Sequence, residues 1–145
     1  MEGVDLVAVG GFSATVVSII VGILSVRSQL QEQVVLEYTG RFSAIIGSLP
    51  YGALEISFEV NRSIGADDWN QTLKVVHQYF DLCSEELKLS KRGRVPRSVW
   101  EDWTQGIVAA MKNPLCQTAL KEERFAAGYQ DLRKFLAERN VSSGG

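Results

Sequence analysis

No lysine or arginine precedes Arg27, and residues 6–26 carry no charge of either sign. Those 21 uncharged residues, at about 1.5 Å per residue in a helix, cover the roughly 30 Å hydrocarbon thickness of a bilayer. An ordinary solvated surface segment is thereby excluded at the amino-terminal end. Cysteine and histidine are scarce too: Cys83 and Cys116 lack CxxC spacing and His77 is the only histidine, so a structural zinc site within one chain is not expected. The two thiols read as small buried hydrophobes rather than as a disulfide. No Gly-rich phosphate loop, nucleophile elbow or HExxH helix occurs, so no catalytic class announces itself and no cofactor is expected. A basic excess is missing as well. From Arg27 onward fifteen Lys and Arg face fifteen Asp and Glu, a formally neutral balance that argues against nucleic acid as a partner.

What is present begins with the uncharged run. Its Ser and Thr hydroxyls can return hydrogen bonds to carbonyls one turn back, which makes them tolerable in lipid. A cleaved signal peptide would need a positive start and a small-residue exit, whereas this segment starts with Glu2 and Asp5 and leaves through Leu24, Ser25, Val26 and Arg27. A membrane anchor over 1–27 is the expectation. Arg27 and Arg41 follow the span and no basic residue precedes it, so the positive-inside rule puts the amino terminus outside and the remainder in the cytoplasm. Asn61, Asn70 and Asn140 head Asn-x-Ser/Thr triplets that would accept glycans only on the secretory side. Gly10, Ala14, Ser18 and Gly22 recur every four residues, the small-residue ridge through which membrane helices approach one another.

Beyond the span the periodicity is helical. Leu30, Val34, Tyr38, Phe42, Ile45 and Leu49 recur at three to four residues, predicting that the helix runs on over 28–50 until Pro50 and Gly52 break it. Such a stripe must pack on the rest of the chain, on a second copy, or on a partner. Residues 54–60 alternate apolar and polar, but a lone strand has no pairing partner, so 51–66 is expected to be a link. Over 67–138 the pattern predicts an all-helical domain. Its second helix places Trp69, Leu73, Val76, Phe80, Cys83 and Leu87 on one face, with Asp67 and Asp68 at its start and Lys88, Lys91, Arg92 and then Gly93 at its end. A third starts at Pro96 and turns Val99, Trp100, Trp103, Ile107 and Met111 inward. A fourth runs from Pro114 with a bend at Gly128, and 139–145, including Val141, is expected to be a disordered tail.

Three groups of side chains invite chemistry. His77, Asp81 and Glu85 stand four residues apart and would form one polar row able to approach a metal ion or move a proton. Three ligands from one helix rarely surround an ion, and a solvated helix flank explains the row equally well. Glu85 and Glu86, as neighbours on a helix, do not face each other. Lys88, Lys91, Arg92, Arg94 and Arg97 form the single basic cluster, in a helix-to-helix turn, where a tethered domain would meet anionic lipid headgroups. Trp69, Trp100 and Trp103 fall at core spacings rather than in a ligand cage.

The segments Tyr79-Phe80-Asp81-Leu82-Cys83-Ser84-Glu85-Glu86, Val99-Trp100-Glu101-Asp102-Trp103 and Gly106-Ile107, with Gly93 between, resemble an uncharacterised bacterial domain family whose members begin with one membrane helix. The resemblance covers roughly residues 67–136. It implies a single-pass bacterial inner-membrane protein with a helical cytoplasmic domain and carries no activity. The expected function is a membrane-anchored interaction or regulatory module, self-associating or docking another membrane or cytoplasmic protein through Leu30, Val34, Tyr38 and Phe42. The alternatives are a membrane-bound metal-dependent enzyme or hydrolase centred on His77, Asp81, Glu85 and Cys83, and a subunit of an oligomeric pore or transporter.

Overall fold

A computed structural model gives the fold; it describes residues 2–53, 58–60, 64–122, 125 and 127–141, with side chains from residue 14 onward apart from that of Ala66. The protein is mainly α. Among the described residues there are five helices and no strand: α1 (Glu2–Gly47), α2 (Ala66–Lys91), α3 (Arg97–Met111), α4 (Pro114–Lys121) and α5 (Gln130–Ala137).

α1 is one uninterrupted helix because no proline occurs before Pro50 and nothing crowds Gly22, Gly40 or Gly47. At 46 residues it extends about 69 Å. Its two halves meet different surroundings. Val16, Val17, Ile19, Ile20, Val21, Ile23, Leu24 and Val26 are between 39% and 62% exposed, and none of them is buried by another described residue. Moving side chains of this kind out of water is worth about 1.5–3 kcal/mol each, so eight of them left in water would forfeit on the order of 10 kcal/mol. That rivals the whole stability of a typical domain, about 5–15 kcal/mol. This helix is long and apolar enough to cross a membrane. A soluble core helix, the other reading of such a run, would bury the same residues.

The second half of α1 lies on α2, with Tyr38 and Ile45 buried and Val34 and Leu49 packed at the margin. Much of the stripe that could have served a partner is thus taken up inside the chain, while Leu30 and Phe42 remain substantially exposed. The helix ends as Ser48 and Leu49 turn into Pro50, and Gly52 supplies the positive φ of 71° that the reversal requires.

α2 is the centre of the domain. Burial extends well beyond the single face read from its spacing: Val75, Tyr79 and Leu82 are buried alongside Leu73, Val76, Phe80, Cys83 and Leu87. α1 occupies one side, and α4 and α5 occupy others. Asp67 and Asp68 sit in the first turn and Lys88 and Lys91 in the last, each complementing the helix dipole. Gly93, at φ 65°, closes the carboxyl end while the Arg94 amide donates to the Leu89 carbonyl at 3.0 Å.

α3 follows Pro96 and buries Ile107, Ala110 and Met111; Trp100 and Trp103 are half-buried at its edge. The turn into α4 is organised by Asn113, which is fully buried. Its Oδ1 accepts from the amides of Leu115 at 2.7 Å and Cys116 at 3.2 Å, and its Nδ2 donates to the Ala53 carbonyl at 2.5 Å. One side chain therefore caps α4 and pins the end of the α1 turn to it.

α4 is capped at Glu122 and α5 starts at Gln130; of the described residues between them Tyr129, rather than the Gly128 at which a bend is expected, takes the left-handed conformation, at φ 59°. Packing selects it: the Tyr129 ring lies edge-on to Phe80 at 5.5 Å, and its hydroxyl donates to Asp81 at 3.1 Å. Arg133 then reaches back to the carbonyls of Leu120, Phe125 and Gly128 at 2.8–3.1 Å. Val141, expected in the tail, is buried and donates its amide to Leu136 at 3.0 Å, with Asn140 in a left-handed cap. Residues 142–145 lie outside the described residues. Part of the expected link does as well, at 54–57 and 61–63, although Phe58 and Ile64 on either side are buried.

Candidate functional site

The basic turn after α2 is brought to one particular height on α1. The Gln31 side-chain amide donates to the Gly93 carbonyl at 3.3 Å. The Arg27 guanidinium lies so close that a Cβ on Gly93 would sit 3.7 Å from its Nη2. Arg92 and Arg94 flank a cleft of about 490 Å³ whose other wall is Ile23, Val26, Arg27 and Leu30 of α1. Apolar side chains of α1, Ile23, Val26, Leu30 and Val34, thus share the cleft with the guanidinium groups of Arg27, Arg92 and Arg94 and with the Glu37 carboxylate. Lys88, Lys91, Arg92, Arg94 and Arg97 are all exposed. Arg97 donates to Glu101 at 3.1 Å one turn on. Arg27, which the spacing assigned only to orientation, joins the cluster because residue 93 folds back on it. That proximity spans 66 positions of sequence and carries no local signal.

The row of His77, Asp81 and Glu85 does not converge. His77 Nδ1 lies 3.2 Å from Asp81, and both side chains are about half exposed. The imidazole stacks at 5.3 Å from Phe125 and lines a shallow hollow of about 410 Å³ with Lys74 and Gln78. Glu85 points elsewhere. It is the carboxylate of Arg41, at 2.6 and 3.3 Å, and also accepts from the Tyr38 hydroxyl at 2.8 Å. The guanidinium beside it holds the Glu85 carboxyl below the usual range, and the Tyr38 hydroxyl adds to this. Among the described residues no three His, Cys, Asp or Glu side chains gather as a metal site. Helical spacing fixes that these side chains share a flank, but not which neighbour each one reaches.

Glu86 differs from Glu85. It is buried, and removal from water pushes its carboxyl up to about 7 against the opposing pull of nearby Arg41. Cys83 and Cys116 are fully buried and unbridged. Burial pushes the Cys116 thiol up to about 12 and raises that of Cys83 as well.

Within the apolar half of α1, Ala14 and Ser18 are exposed, the Ser18 hydroxyl returns to the Ala14 carbonyl at 3.0 Å, and no atom outside the helix approaches the Gly22 position. Gly10 lies on the same helix four residues earlier. Of the exposed stripe, Leu36, which the spacing did not single out, stands 73% exposed, and Tyr51 beyond the helix is fully exposed. Comparison with protein families, curated proteins and solved structures finds no match.

Proposed function

We propose that this protein is a single-pass membrane-tethered helical module of a bacterial inner membrane, whose cytoplasmic domain is seated on the anionic leaflet by its basic turn. The observation that carries the reading is the packing of residue 93 against Arg27 and Gln31, directly below the last residue of the uncharged run. Gln31 is four residues past Arg27, so the contact lies about 6 Å along the helix from the boundary, within the headgroup layer. Arg27, Lys88, Lys91, Arg92 and Arg94 then meet lipid phosphates, at about 1 kcal/mol for each basic side chain near the surface. The same charges favour retention of the domain on the cytoplasmic side. With the domain fixed against the leaflet, the faces left for another protein or for a second copy are those of Leu36, Phe42 and Tyr51, together with the Gly10, Ala14, Ser18 and Gly22 ridge inside the bilayer. No catalytic step is assigned, since His77 and Asp81 face each other while Glu85 turns away to Arg41 and Tyr38.

Hydrogen exchange of the full chain in nanodiscs tests the leaflet contact. Residues 88–97 should exchange more slowly with phosphatidylglycerol present than in phosphatidylcholine alone, and added salt should erase the difference. Equal exchange in both lipids would refute the contact. Cross-linking and native mass spectrometry in mild detergent test the docking role, which a strictly monomeric chain that co-purifies with nothing would overturn.

A further inference from the structure

A second cavity, of about 250 Å³, opens where α1, α2 and α3 meet. Two aromatic pairs wall it. The rings of Tyr38 and Trp103 are 6.1 Å apart between centres and those of Phe42 and Tyr79 are 6.2 Å apart. Glu86 from α2 and Asp102 from α3 line the same space. Arg41, the cation nearest to it, is committed to Glu85 at 2.6 Å and lies over one face of the Tyr38 ring, 4.9 Å from its centre, leaving the other face for an occupant. Glu86 is only 7% exposed, no hydrogen bond reaches its carboxyl from a described residue, and its oxygens meet solvent only through this cavity.

We propose that this cavity binds a small organic cation, an alkylated or quaternary ammonium, with Tyr38, Phe42, Tyr79 and Trp103 offering ring faces and Glu86 and Asp102 the countercharge. Aromatic faces attract such cations through the ring quadrupole, most strongly where water is excluded. A largely buried carboxyl that meets only the cavity's water is stabilised when a positive group takes that water's place. Other occupants fit less well. An anion would meet two acids, an apolar molecule would take the remaining water from the Glu86 carboxyl, and a divalent metal ion needs six or so oxygen ligands that rings do not supply. The volume is just below the roughly 300 Å³ at which drug-sized ligand sites begin, which suits a small cation. Gly106 keeps the space open. It sits inside α3, where alanine would favour the helix more, and no atom lies within 4 Å of where its Cβ would be. Tyr38 is eleven residues past Arg27, about 16 Å farther along the helix, so the cavity stands clear of the headgroup layer and its occupant is a dissolved cation rather than a lipid. Its chemistry is independent of the leaflet contact proposed above.

Titration calorimetry on the full chain in maltoside micelles tests this with choline, tetramethylammonium and butylammonium chlorides as probes, against matched sodium chloride. At least one cation should give a saturable heat, and dimethylbutanol, the uncharged carbon isostere of choline, should give none. Glu86→Gln should weaken binding about tenfold by removing the countercharge. Gly106→Leu, which fills the space from an uncrowded backbone position, should abolish binding with the helical circular dichroism unchanged. Absence of saturable heat with all three cations overturns the proposal, as does equal binding of the neutral isostere or indifference to Gly106→Leu. If Glu86→Gln fails to fold, the other variant decides the question alone.

Discussion

Glu86→Gln should make the domain more stable, and only where the wild-type carboxyl is ionised. The folded protein raises this group from an ordinary 4.5 to about 7, chiefly because burial removes its carboxylate from water. At about 1.4 kcal/mol per tenfold change in proton affinity, that rise corresponds to about 3 kcal/mol. The cavity's access to solvent trims the observable share to about 1–3 kcal/mol. The sign follows from proton linkage: the native state holds this proton more tightly than the unfolded chain, so stability falls as pH climbs from 4.5 to about 7 and is level beyond. Arg41 and Tyr38 from α1, Glu85, Tyr79 and Cys83 on α2, and Asp102 from α3 are the ionisable groups around it. Glutamine retains the shape without the titration. Urea unfolding followed by circular dichroism at pH 4 and pH 8 should therefore give nearly equal midpoints for the two proteins at the acidic end. The variant should be the more stable by about 1–3 kcal/mol at the basic end. A constant offset between the proteins at both values would show that burial does not disfavour this charge.

Other perturbations probe other joints. Asn113→Ala removes an α4 cap and the tie to the Ala53 carbonyl at a fully buried position, and should lower stability by about 2–4 kcal/mol, visible in the same urea titration. A maleimide should leave Cys83 and Cys116 unlabelled in the native protein and label both after denaturation, since buried thiols held above their usual range contain little thiolate; rapid native labelling of either would contradict the packing. Four alanines inserted between Val26 and Arg27 should lift the basic turn about 6 Å from the boundary and abolish the lipid-dependent slowing of exchange at residues 88–97. Unchanged slowing would detach the effect from headgroup height.

What the sequence disclosed and what it withheld divide along physical lines. The spacing of Trp69 to Leu87, the acidic start at Asp67 and Asp68, Gly93 past the helix end, and Asn113 before Pro114 are local signals, and α2, α3 and α4 fall where these place them. Burial around α2 exceeds what its spacing predicts because periodicity reports the most apolar face, whereas a central helix is also covered over Val75 and Leu82. The break before α5 follows Tyr129, whose left-handed backbone is imposed by Phe80 and Asp81, some fifty positions away in sequence. Both sites depend on such distant pairings. Nothing near residue 93 foretells Arg27, and Glu85 and Glu86 look alike until Arg41 is seen to reach one of them and not the other.

The continuity of α1 gives these sites a common frame. No proline interrupts the helix between residues 2 and 47, so the segment suited to lipid and the segment that carries Tyr38 and Phe42 form one rod. The basic turn grips that rod near its exit from the uncharged run, and the aromatic cavity opens about 16 Å farther on, partly in the rod's own wall. A cation bound there would join α1 to α3 through groups on both, bridging Tyr38 and Asp102 across a seam that otherwise leaves Glu86 without a counterion. Binding in the cavity and seating on the leaflet would thus act on the same helix, and any movement of α3 against α1 would be felt at its lipid end through the turn at residues 92–96.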